Sequence, residues 1–154
     1  MRMKLELGVA IVFGIALVVA VAASGGDSLT APGTIRITDS LVKRTSVDGG
    51  EPGRGAGDID FYRQRLFNKR ITATSIGHSD ITCVNTGTGS SNCTGTYFLP
   101  KGKIMVGGVI GSRLLYELAV LGGTGLYDNV RGTMTATNLG GKPAKEFLLF
   151  RLVI

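Results

Sequence analysis

After residue 30 the chain never sustains a helical period. Short runs of β-branched and aromatic residues recur instead, each cut off by Gly, Pro, Asn or Asp. That punctuation constrains the fold more than any other feature of the sequence. Eight runs read as strands: Thr34–Val42, Asp58–Phe67, Arg70–Val84 with a bend at Gly77, Cys93–Leu99, Lys103–Ile110, Arg113–Leu121, Val130–Thr137 and Ala144–Val153. Gly makes up 24 of 154 residues without a three-residue repeat, so the glycines belong to turns and not to a collagen-like rod. Apart from the stretch Lys43–Gly57, every connection is short, and strands joined by tight turns are antiparallel neighbours. The reading is therefore all-β: an eight-stranded antiparallel up-and-down barrel, whose closure removes exposed edges. Such a barrel has room for packed side chains or for one small ligand.

The first 24 residues read as a segment apart. Arg2 and Lys4 form a positive start, and Leu7–Ala23 is an apolar and Gly run of 17 residues. Ala20-Val21-Ala22 is a small-x-small pattern ahead of the polar Ser24-Gly25-Gly26. Residues 1–24 are a secretory signal peptide on this reading, with an uncleaved membrane anchor as the alternative, and 25–33 are a linker to a single domain over 34–154. Either form places the domain outside the cytoplasm, secreted or in the cell envelope.

Charge and rare residues exclude several functions. Seventeen Lys and Arg against eleven Asp and Glu give a net charge of +6, but the charges are scattered, and no aromatic residues interleave with them as nucleic-acid binding requires. One His and two Cys are too few for a His-built metal site or a zinc module, and a catalytic triad would have to use His78. Cys83 and Cys93 flank a Gly/Ser/Thr/Asn loop between two strands; in an oxidising compartment they form a disulfide pinning a hairpin. A loop this short implies about 2–3 kcal/mol of chain-entropy stabilisation.

Alternation along the strands points to the interior. Ile35, Ile37, Asp39 and Leu41 share the apolar face of the first strand, so one carboxylate points inward among hydrophobic side chains. Desolvation there raises its pKa and makes Asp39 able to exchange a proton near neutrality; the alternative is a solvated residue at the barrel mouth. Met134 and Ala136 face inward from the seventh strand. The sixth strand, with Leu114, Tyr116, Leu118 and Val120 opposing Leu115, Glu117, Ala119 and Leu121, is apolar on both faces, which predicts a covered outer side such as a subunit interface. The last strand, Phe147–Ile154, reads as buried on both faces, while the second has no clear apolar face.

Two segments carry a resemblance. Gly95-Thr96-Tyr97-Phe98-Leu99-Pro100-Lys101-Gly102-Lys103-Ile104 and Leu118-Ala119-Val120-Leu121-Gly122-Gly123-Thr124-Gly125-Leu126-Tyr127-Asp128-Asn129-Val130-Arg131-Gly132 resemble the allene oxide cyclase barrel superfamily, which includes dirigent proteins and secreted bacterial relatives. The likeness spans roughly residues 34–154. It implies an eight-stranded barrel with a mostly hydrophobic cavity, often assembled as a trimer, that works without a cofactor. The plant cyclases turn an unstable epoxide into a cyclopentenone by holding a flexible substrate in one shape, aided by a carboxylate. Dirigent proteins steer coupling or cyclisation of phenolic intermediates with acidic and Tyr side chains. The first-strand acidic position falls near Asp39, but Thr38-Asp39-Ser40 departs from the cyclases' Glu-centred pattern, so their fatty-acid substrate does not carry over. Strand position adds Tyr97 as a catalytic candidate beside Asp39, and Ile37, Tyr62, Tyr116, Glu117 and Met134 as substrate-binding candidates. The Gly122-Gly123-Thr124-Gly125 run is a tight connection; it lacks the Lys and the following helix of a phosphate-binding loop.

Three functions follow. The first is a cofactor-free isomerase or cyclase that folds a small hydrophobic molecule into one stereochemical outcome. The second is a barrel that holds an apolar ligand unchanged. The third is an envelope domain with a filled core. A cavity joined by Asp39 and a Tyr favours the first, a wholly apolar cavity the second, and a barrel packed solid the third. Partners on this reading are the small molecule and further copies of the chain, as homodimer or homotrimer, with no nucleic acid and with a membrane only through the N-terminal anchor.

Overall fold

The computed structural model describes residues 33–50, 52–68, 74–87, 89–111 and 113–153. Residues 1–24, read above as a signal peptide, and all of the expected linker but Gly33 lie outside the described residues. Eight strands follow one another: β1 Thr34–Val47, β2 Ile59–Asn68, β3 Gly77–Asn85, β4 Ser91–Leu99, β5 Gly102–Ile110, β6 Leu115–Gly125, β7 Arg131–Gly140 and β8 Lys145–Val153. Each pairs antiparallel with the next, and β8 returns to β1, closing the barrel. The architecture is the one the turn punctuation predicts.

Three departures from simple alternation shape the molecule. β1 continues past Val42 because that residue is extra: Leu41 pairs with Gln64 and Lys43 with Arg63. The bulge flips the parity of the strand. Odd-numbered residues up to Leu41 face inward, and beyond it Arg44 and Ser46 lie opposite Tyr62 and Asp60. Second, the Gly-Gly-Thr-Gly run is not a loop. It belongs to β6, where Gly122, Gly123, Thr124 and Gly125 pair with Met105 back to Gly102. Glycine is required here by close approach: a Cβ on Gly123 would stand 2.3 Å from the Tyr127 carbonyl oxygen and 2.6 Å from that of Lys103. Third, β3 starts at Gly77; Thr74–Ile76 are outside the strand, and 70–73 lie outside the described residues.

Inward side chains fill one half of the barrel. Phe150, Leu148, Met134, Ile104, Val106, Leu66 and Leu118 are fully buried, and Val130 and Tyr127, from the β6–β7 connection, close that end. The last strand is not buried on both faces: Leu148, Phe150 and Leu152 are inside, whereas Arg151 and Val153 are exposed. A strand in a single-layer barrel has one face outside whatever its composition. For the same reason Leu115 and Leu121 on the outer side of β6 are exposed in the single chain. β2 resolves its ambiguity with a polar interior, Asp60 and Gln64 being buried above Leu66. Cys83 and Cys93 stand directly opposite one another on β3 and β4 and are disulfide-bonded, as the spacing and compartment predict.

Candidate functional site

The other half of the barrel is hollow. A cavity of about 290 Å³ opens at the end where β1 meets the 48–58 connection. Its two sides differ in chemistry. Ile81 and Cys83 of β3, Cys93 of β4, Ile110 of β5 and Leu118 of β6 form an apolar wall. Asp39 of β1, Gln64 of β2, Glu146 of β8 and Tyr116 of β6 form a polar one. Three of these four polar residues come from the neighbouring strands β8, β1 and β2, so their side chains converge because the register aligns them: Asp39 is paired with Glu146 on one side and Leu66 on the other.

The polar wall is a connected network with one open position. The Ser79 hydroxyl donates to Gln64 Oε1 at 2.7 Å, and the Gln64 side chain lies beside Glu146 and favours its charged form. The Tyr116 hydroxyl donates to Glu146 Oε2 at 2.7 Å. The backbone N–H of Glu146 donates to Asp39 Oδ1 at 3.0 Å. Asp39 Oδ2 and the Tyr97 hydroxyl are buried without a hydrogen-bond partner among the described residues. Buried polar atoms are nearly always partnered, so an orphaned carboxyl oxygen beside a cavity is an exception that needs a reason.

Electrostatics sharpen the picture. Burial, then the neighbouring Glu146 charge, push the Asp39 carboxyl up to about 8, against a smaller opposing effect of the Glu146 N–H. Glu146 is also raised by burial, with Tyr116, Arg113 and Gln64 opposing. A carboxyl raised this far is mostly protonated at neutral pH and has an O–H to donate. Tyr97 and Tyr116 are pushed upward, first by burial, so both phenols stay neutral.

At the mouth stands a second charged group. Asp60 is buried, and Arg44 clamps it with Nη2 2.8 Å from Oδ2 and Nε 3.1 Å from Oδ1. The Tyr62 hydroxyl and Ser46 also donate to it. Burial opposes the Asp60 charge, but the hydrogen bonds from Ser46, Arg44 and Tyr62 outweigh it and hold the carboxyl below its usual range. Arg54 and Arg113 approach the same Oδ2 at 3.5 and 3.7 Å.

The residues named from sequence divide. Asp39, Tyr62 and Tyr116 line the cavity. Tyr97 lies buried beneath it, edge-on to Phe150 with ring centroids 5.2 Å apart. Ile37 and Met134 belong to the packed core and do not line the hollow. Glu117 is a correction: it is exposed on the outside of β6, where Thr135 donates to it, because the inward parity of that strand falls on Tyr116 and Leu118. His78 stacks on Phe98 at 4.3 Å and does not reach the cavity. Glu146, Gln64, Arg44, Arg54, Asp60 and Arg113 were not legible as site residues. For Glu146 the signal was present: it continues the inward series Leu148, Phe150, Leu152. Among the described residues no cluster of His, Cys, Asp and Glu suits a metal ion.

No family model matches the chain, and no curated protein matches it. Solved structures do. A pyocyanin demethylase superposes with a TM-score of 0.67 at 23% identity, over 78% of this chain and 99% of that one. The pterocarpan synthase dirigent protein GePTS1 gives 0.63 at 12% identity, over 77% and 81%. The Diels-Alderase AbmU from Streptomyces koyangensis gives 0.59 at 14% identity, over 78% and 68%. The chain shares the eight-stranded barrel fold of these proteins. The resemblance read from the two sequence segments therefore holds at the level of fold, and fold alone does not assign a reaction.

Proposed function

We propose that the barrel binds one small, largely apolar molecule and holds it in a single conformation while it cyclises or couples, with Asp39 as the proton donor. The observation that carries this is the Asp39 carboxyl: buried, held neutral near pH 7, and with one oxygen lacking a partner beside a cavity. A ligand carbonyl or ether oxygen would supply that partner after a small rotation of the carboxyl toward the cavity, since this oxygen is fully buried in the free protein. Donation from Asp39 would polarise the reacting group, and the proton returns to the same carboxylate after ring closure, so the isomerisation is balanced without a cofactor. The apolar wall opposite restricts the conformers available, which lowers the entropy cost of reaching the cyclising one. Tyr116 and Gln64 position Glu146, and the Glu146 backbone positions Asp39. The similarity in fold to a dirigent protein and a Diels-Alderase supports this reading.

A second reading, retention of an unchanged ligand, draws on the apolar wall of Ile81, Ile110 and Leu118. We further infer export from the cytoplasm, supported by the composition of residues 1–24 and by the Cys83–Cys93 bond. The deciding experiment starts with mass spectrometry of small molecules that co-purify with the chain. Conjugated polyenes and phenolic quinone methides of matching size are then assayed by chiral chromatography. Wild type is expected to enrich one stereoisomer, and Asp39→Asn to slow its formation by about 10²-fold or more. An identical product mixture from both proteins overturns the acid role; a mixture equal to the uncatalysed one with wild type leaves retention as the function.

A further inference from the structure

Three arginines stand at the cavity mouth, among the carboxylates of Asp48, Asp58 and Asp60 and above that of Glu146. Arg44, Arg54 and Arg113 all line the cavity, and all three reach the single carboxylate of Asp60, which lies behind them. Arg44 alone satisfies Asp60 with a two-pronged contact. Arg54 and Arg113 meet only its Oδ2, at 3.5 and 3.7 Å, and their side chains are 59% and 52% exposed. Nearby, Asp58 also acts on Arg54, but its own oxygens accept from the Gly49 and Gly55 backbone N–H groups. Deeper in the cavity stand Glu146 and the neutral Asp39.

Arg54 and Arg113 make only these long contacts to Asp60 and keep more than half of their side chains exposed, so each has guanidinium donors left to offer a ligand. The placement is also specific. The extra residue Val42 turns the parity of β1 so that Arg44 faces the lumen opposite Tyr62. Arg44 and Arg113 both lie over the Tyr62 ring, 5.5 and 5.4 Å from its centroid, which orders the two side chains in the free protein. Arg113, held in this way, is ready to bind a planar anion with little further loss of freedom, and Arg54 stands across the same Asp60 oxygen from it.

We propose that the molecule bound in this cavity carries a carboxylate, which docks on Arg113 and Arg54 at the mouth while its neutral, apolar end reaches toward Asp39. This rests on the cavity reading above and adds the substrate class: an amphiphilic small acid and not a neutral hydrocarbon. Polarity fixes the direction of entry. A carboxylate at the inner end would meet Glu146 and force a second negative charge beside Asp39, whereas at the mouth it meets the arginines. Arg44, which shares the Tyr62 ring with Arg113, lies four paired positions along β1 from Asp39, about 13 Å between Cα atoms, so a ligand reaching from the mouth to Asp39 has the length of two or three fused rings or a short polyene.

The test uses the purified chain and two fluorescent probes of the same shape, 9-anthracenecarboxylate and the neutral 9-anthracenemethanol. The acid is expected to bind roughly tenfold or more tightly than the alcohol at low salt, and the preference to shrink as salt rises. Arg54→Gln with Arg113→Gln is expected to abolish the preference by weakening the acid, and Arg113→Lys to keep part of it, with unfolding curves confirming that each variant is folded. Equal affinity for the two probes in wild type, or a preference that survives the double substitution, overturns the carboxylate assignment and leaves the cavity standing. Failure of both probes to bind overturns the assignment together with the cavity reading on which it rests.

Discussion

Asp39 is an acid because of where its neighbours put it. Its ordinary pKa of 3.8 rises to about 8 through burial first and the Glu146 charge second. The folded chain therefore holds this proton more tightly than the unfolded chain does, and stability contributed by the protonated group is complete below about pH 4 and lost as pH rises through about 8. The difference corresponds to on the order of 5 kcal/mol across that window. Asp39→Asn, which carries no titrating proton, is predicted to flatten this part of the profile and to be more stable than wild type at pH 9; urea unfolding at pH 5, 7 and 9 checks it, and parallel curves for the two proteins would contradict it. Tyr116→Phe removes a hydrogen-bond donor from the partly buried Glu146 and is predicted to cost about 1–3 kcal/mol in the same assay. Of these residues, Asp39 and Tyr116 were legible in the sequence because each interrupts or continues an apolar face at period two. Glu117 was misplaced because both faces of its strand are apolar, so alternation could not say which one is inside.

At the scale of the strand, what alternation cannot foresee is the extra residue. Nothing in Leu41-Val42-Lys43 announces a bulge, yet it decides whether Arg44 faces water or the lumen. The Gly-Gly-Thr-Gly run misled in the opposite way. Its glycines suggest a loop, but they are there so that β6 can pass close to the carbonyls of Lys103 and Tyr127 while remaining a strand. Gly132 on β7 carries the same demand in stronger form: its φ is +138°, and a Cβ there would stand 1.9 Å from the Arg151 carbonyl oxygen of β8. Gly132→Ala is predicted to cost at least about 2 kcal/mol, read as a lower melting temperature; an unchanged melting temperature would mean the β7–β8 pairing is not as described. The β3–β4 hairpin is held by Cys83–Cys93, whose residues are ten apart. Replacing both with Ala is predicted to lower stability by about 2–3 kcal/mol while leaving the barrel able to fold, because all eight strand pairings remain.

The whole molecule is a cylinder filled at one end and hollow at the other. Closure was readable from eight turn-punctuated runs, since no other arrangement hides every edge of consecutive hairpins. The hollow was not, because it depends on where the large side chains stop: Phe150, Leu148 and Tyr97 fill one half, and the inward positions above them leave space between polar side chains on one side and apolar ones on the other. That division leaves a neutral carboxylic acid inside a cavity of a size for one small molecule. Carbon-13 NMR can follow the Asp39 side-chain carboxyl, assigned by its loss in Asp39→Asn, from pH 4 to 10. A protonated signal at pH 7 with its midpoint near 8 is expected; a carboxylate signal already present at pH 6, titrating near the ordinary value of 3.8, would mean that Asp39 is not held neutral by the fold.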